Sequence, residues 1–143
     1  MKKILVALVC FAMLSGCAGM SVVPGDNSSS LDKLKLAVSA LDTVVNVVGP
    51  IVIINLCVYD ASNCNVAKAD LKIAQDAMVL VYASLDAAVA ANGANGTEAK
   101  AIAALSEAAK HVSDVNQVSV DISGKPLITM PPEVTAVIAP VVK

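Results

Sequence analysis

The chain has no tryptophan, one phenylalanine and two tyrosines, and its positive charge is all lysine, with no arginine anywhere. These absences exclude a class of function. Arginine supplies the flat fork that grips phosphate, and aromatic rings supply the platforms on which bases stack. With neither, and with twelve acids against ten lysines, nucleic acid is ruled out as a partner. Histidine is nearly absent too. His111 stands alone, so centres built from repeated histidines are out of reach. Glu107 lies four residues before it and Asp114 three after, so the three can share a helix face. That reads as a solvated histidine paired with carboxylates, and no metal or general-base role follows. The chain also lacks a glycine-rich phosphate loop and a Gly-x-Ser-x-Gly turn. The expectation is a protein that is not an enzyme and needs no metal or soluble cofactor.

What is present is aliphatic, and the first apolar run carries the most information. Lys2 and Lys3 precede an uncharged stretch from Ile4 to Leu14, followed by the small residues Ser15 and Gly16. This is the layout of an export signal, and it is too short to cross a hydrocarbon layer that needs ~20 residues. Leu14-Ser15-Gly16-Cys17 resembles the lipobox of bacterial lipoproteins. The resemblance covers these four residues and implies cleavage before Cys17. It also implies a diacylglycerol on the Cys17 sulfur and an acyl chain on its new amino group. Three chains, at ~0.8 kcal/mol per buried methylene, make a nearly permanent membrane anchor. Ala18 follows instead of the aspartate that retains enteric lipoproteins in the inner membrane. In a two-membrane cell the implied address is therefore the periplasmic face of the outer membrane.

Removal of residues 1–16 leaves 127 residues, eight lysines and twelve acids, a net charge of −4. Strong attraction to anionic lipid is not expected of such a chain. Cys10 leaves with the signal and Cys17 is taken by lipid, so Cys57 and Cys64 remain as a pair. In an oxidising compartment they are expected to form a structural disulfide. Six residues between the sulfurs fit neither the usual redox spacing nor a zinc pair.

Residues 17–30 read as a lipidated flexible tether, with Pro24-Gly25-Asp26-Asn27 and three serines, reaching about 20 Å. A domain of residues 31–117 follows, and its predicted class is all-α. A helical hairpin plus a third helix would make a three-helix bundle. Helix one is expected from Ser30 to Tyr59, capped by Ser29 or Ser30, with Leu31, Leu34, Val38, Leu41, Val45, Val48 and Val52 as its stripe. From Val44 to Tyr59 the amphipathy fades, so that segment is buried on all sides or touches lipid. Its β-branched residues also allow a buried strand over Ile51–Val58. Gly49-Pro50 should kink the helix, since proline removes the bond to the Asn46 carbonyl and crowds it.

Tyr59–Asn63 is the expected turn, with Asn63 or Asn65 capping helix two, which runs to about Asn92. Its stripe is Ala67, Leu71, Ala74, Met78, Val81, Leu85 and Ala88. Asn92-Gly93-Ala94-Asn95-Gly96 signals a stop, and a capping box of Asn95 (or Thr97) with Glu98 would start helix three, Thr97 to about Val115. Its inward residues are Ile102, Leu105, Ala109 and Val112. Residues 118–143 then read as an apolar tail packed on the bundle or on a partner. Val118, Val120 and Ile122 alternate with polar residues, so the tail is expected to be irregular or to hold a small β-hairpin, with a last short helix near Pro131–Ala139.

The functional expectation is a lipid-anchored cell-envelope protein with a structural or protein-interaction role, its partner an envelope protein or a second copy of itself. A membrane-active or lipid-binding module built on residues 44–59 is the alternative. An exclusion or lysis lipoprotein of the phage type is a further one, by analogy of size and anchor.

Overall fold

A computed structural model describes residues 29–140. The proposed signal, Cys17 and most of the tether lie outside these residues. The described residues are all helical in their regular structure, with no strand among them. In chain order they form α1 (Ser30–Thr43), a π-helical turn (Val44–Val48), α2 (Gly49–Tyr59), α3 (Ala61–Ala90), α4 (Thr97–Ser123) and α5 (Pro132–Ile138).

α1 begins where local chemistry places it. The Ser29 hydroxyl accepts from the Asp32 N–H at 3.2 Å, and its own proton goes to the Asp32 carboxylate at 2.8 Å. The cap and the first-turn acid thus support each other. α1 runs without a break through the π turn into α2, so the strand allowed over Ile51–Val58 does not form. The irregularity expected at Gly49-Pro50 falls one turn earlier. Proline withholds an N–H and its ring needs room, and a widened turn before it relieves both. Within that turn the Gly49 N–H reaches back to the Val44 carbonyl, five residues away. Gly49 serves packing. A β-carbon there would lie 2.5 Å from Leu71 Cδ1, so the glycine leaves the space that the end of the Leu71 side chain fills.

The connection to α3 is tighter than expected. A single residue, Asp60, separates the two helices, and its carboxylate accepts from the Ser62 and Asn63 N–H groups at 2.9 and 3.1 Å. Asp60 is therefore the cap, where Asn63 or Asn65 was expected. Cys57 and Cys64 span this corner with their Cα atoms 4.9 Å apart and their sulfurs bonded. The expected stripe of α3 is buried in full, from Ala67 to Ala88.

Asn92, Gly93, Asn95 and Gly96 all take positive φ, so the doubled Asn-Gly sequence makes a doubled left-handed turn. No capping box forms there. Gly96 occupies the position before α4, and the Thr97 hydroxyl donates to the Ala94 carbonyl at 2.7 Å. α3 and α4 are the most closely apposed pair in the fold. Ala67, Ala74, Ala88, Ala101, Ala108 and Ala109 are buried, and such small side chains let helix axes come near the short end of the usual range.

The main correction concerns the tail. α4 continues to Ser123, past the expected end near Val115 and past the domain boundary set at 117, and no β-hairpin forms. Alternation misled because Ser119 is a core residue. It is fully buried, and its hydroxyl donates to the Lys125 carbonyl at 3.1 Å. Val118 and Ile122 are half-buried beside it while Val120 faces out, which is a helical pattern. Gly124, at φ 75°, ends the helix and turns the chain back along it. Asn116 then holds the returning segment: its Oδ1 accepts from the Ile128 N–H at 2.8 Å, and its amide donates to the Ile128 carbonyl. α5 follows and lies against α1 and α4, with Val134 fully buried. Most apolar side chains of the described part of the tail, among them Leu127, Met130, Val137 and Ile138, thereby pack against the core.

Candidate interaction surface

Once the tail has packed, a line of apolar side chains stays uncovered on the outer side of the π turn and α2. Val52, Ile53 and Leu56 turn into the core. Val47, Ile51, Ile54 and Val58 stand on the opposite side and are 56%, 49%, 67% and 79% exposed. Their spacing of four, three and four residues sets them in one line along the helix. Tyr59 is exposed at its end. No charged side chain occurs between Asp42 and Asp60. The polar residues beside the line are satisfied within their own helix. Thr43 donates to the Ser39 carbonyl at 3.1 Å, Asn46 to the Asp42 carboxylate at 2.8 Å and Asn55 to the Ile51 carbonyl at 2.9 Å. Covering this side would therefore strip water from few unpaired groups. α3 is also uncovered on its outside: Val66, Ile73 and Leu80 are exposed seven residues apart, and Val79, Tyr82 and Val89 are exposed elsewhere around the helix, so its apolar residues form no single line.

The sequence marks residues 44–59 as buried all round or in contact with something outside the chain. The structure divides the segment by face. Half of it is core, and half is uncovered.

Two other features complete the surface. A cleft of about 570 Å³ lies between the ends of α2 and α4, lined by Val52, Asn55, Tyr59, Ile122, Ser123, Lys125 and Leu127. On α4, His111 sits between Glu107 and Asp114, its Nε2 3.4 Å from Glu107 and its Nδ1 3.5 Å from Asp114. The imidazole is only 17% exposed, so it is a largely covered histidine where a solvated one was expected. Asp70 of α3 reaches the same place, and donor atoms of Asp70, His111 and Asp114 lie within 4.8 Å of one another. Chemically, the group can share a proton across the α3–α4 seam or offer three donors to a divalent cation. Sequence spacing groups residues of one helix only, so nothing in it pointed to Asp70.

Asp60 and Asp32 carry the resolved carboxyl shifts. The Asn63 and Ser62 N–H groups hold the Asp60 carboxyl below its ordinary range. The Ser29 hydroxyl does the same for Asp32. Partial burial pushes the Tyr82 phenol up, helped by the Asp42 carboxylate nearby. That last contact places the middle of α3 beside the end of α1, as antiparallel helices require.

No protein-family model matches the chain, and no curated protein or solved structure is significantly similar to it.

Proposed function

We propose that this chain is a lipid-anchored cell-envelope protein that works through contact with another protein and catalyses no reaction. The three long helices act as one bundle that presents the outer side of α2 to a partner. One observation carries this reading. After every described segment has packed, Val47, Ile51, Ile54 and Val58 remain uncovered in a line, and a soluble chain exposes such a stripe at a cost in solubility unless something covers it. The lipobox-like Leu14-Ser15-Gly16-Cys17 supports the anchor, and Ala18 supports the outer-membrane address.

The anchor is tested by mass spectrometry of the processed amino terminus in the native host. The expected result is a triacylated Cys17, with Cys17→Ser losing both the lipid and membrane retention. An unmodified terminus or a retained leader overturns the reading.

Membrane contact through residues 44–59 is the second reading, favoured by two helices long and apolar enough to cross a bilayer, Ser30–Tyr59 and Ala61–Ala90. It ranks lower because the uncovered stripe is narrow and lacks the flanking lysines and tryptophans that seat a helix at a bilayer surface. Flotation of the Cys17→Ser chain with vesicles would reverse the ranking.

A further inference from the structure

We infer that the partner for the outer side of α2 is a second copy of this chain, docked antiparallel about a two-fold axis. The inference rests on the reading that this face meets another protein, and it adds which one.

The stripe is self-complementary. Val47, Ile51, Ile54 and Val58 form a palindrome in both residue type and spacing. An axis placed between Val52 and Ile53 sets Val47 opposite Val58 of the second copy and Ile51 opposite Ile54. Side chains of the same size then meet at each end of the seam, in the reciprocal i-to-j pairing that a two-fold interface has.

Two further observations favour a helix over a lipid surface. A single line of residues spaced four and three apart is the width of a helix–helix seam, while a bilayer-seated face is broader. The flanking Thr43, Asn46 and Asn55 are bonded within their own helix, and no charge lies between Asp42 and Asp60, so pairing desolvates no ion. The size suits an equilibrium between monomer and dimer. The four side chains leave on the order of 400 Å² uncovered per chain, the size of a weak, reversible contact. β-Branched residues on a helix are stiff, so little side-chain freedom is lost on docking.

The test uses the chain exported with Cys17→Ser behind a cleavable leader, analysed by sedimentation across the micromolar range. A monomer–dimer equilibrium is expected. Ile54→Asp should weaken it at least ~100-fold, because each two-fold contact would bury the charge twice. The helical circular dichroism of this variant should match the parent, since Ile54 faces solvent in the monomer. If Ile54→Asp fails to fold, Ile54→Ser at the same position must still weaken the dimer.

Register is read by disulfide trapping. Val47→Cys mixed with Val58→Cys should cross-link, and Val47→Cys alone should not. A monomer at every concentration, a dimer indifferent to both Ile54 variants, or a Val47–Val47 cross-link overturns the inference. So does a monomer that binds phosphatidylethanolamine–phosphatidylglycerol vesicles through this face. None of these outcomes changes the mass of the wild-type amino terminus, so the anchor and the dimer stand or fall separately.

Discussion

Replacing Asn116 with alanine should release the C-terminal segment from α4. The Asn116 side chain holds both main-chain groups of Ile128, accepting from its N–H at 2.8 Å and donating to its carbonyl. Ile128 is 3% exposed, so in the variant neither group can turn to water while the segment stays packed. Leaving buried main-chain groups without partners costs about 1–3 kcal/mol each, which puts the loss near 3 kcal/mol after some relaxation. For a domain of this size that corresponds to a fall of roughly 10 °C in Tm. The loss should be local before it is global. Amide exchange should accelerate first at Ile128 and then at Val134, whose helix α5 is held in place by this clasp. Asn116→Asp keeps the acceptor and loses the donor, so its Tm should fall between those of the parent and the alanine variant. An alanine variant with parental Tm and undiminished protection at Ile128 would refute the assignment.

Two other perturbations probe the corner between α2 and α3. Reducing the Cys57–Cys64 bond opens a loop of about eight residues, worth ~2.5 kcal/mol on the chain-entropy argument, so Tm should drop by several degrees under reductant. An unchanged midpoint would show that the disulfide constrains nothing the helices do not already hold. Asp60→Ala should lower Tm by removing the cap of α3, whereas Asp60→Asn keeps an acceptor for the Ser62 and Asn63 N–H groups. The pH dependence has a definite sign. Because folding depresses the Asp60 carboxyl below its ordinary 3.8, its charged form stabilises the fold in full above the unfolded value, and that stabilisation fades as pH falls through the folded one. The parent should therefore lose its advantage over Asp60→Asn only below about pH 4. Parallel acid-melting curves for the two proteins would remove Asp60 as the source.

Much of the fold was legible because the relevant signals are local. The stripe of α3 from Ala67 to Ala88 repeats at helical spacing, and every member is buried. The Ser29 cap and the doubled Asn-Gly turn depend on neighbours within a few residues, and both form as expected. The misreading at Val118–Ile122 has the opposite cause. A serine in the middle looks like the solvent side of a strand until the chain returns and offers the Lys125 carbonyl to its hydroxyl. Asn116 is polar and unremarked for the same reason, since its partner lies twelve residues on and arrives only after the turn at Gly124.

The candidate surface was half legible. Composition singled out residues 44–59, but a helix that is apolar all round gives no sign of which side its neighbours will cover. The packing of α2 against the other helices, with Gly49 beside Leu71, turns Val52, Ile53 and Leu56 inward and leaves Val47, Ile51, Ile54 and Val58 outside.

The amino-acid order alone carried the all-helical class, the buried stripe of α3 and the starts of α1 and α4. Periodicity, caps and charge act over one or two turns and need no partner to be read. Tertiary packing decided the length of α4, the use of the tail as an internal strap, the meeting of Asp70 with His111 and the side of α2 that stays uncovered. Each of these turns on which surfaces meet across helices distant in sequence, and helix register is set by side-chain volume and close approach, which no single helix contains.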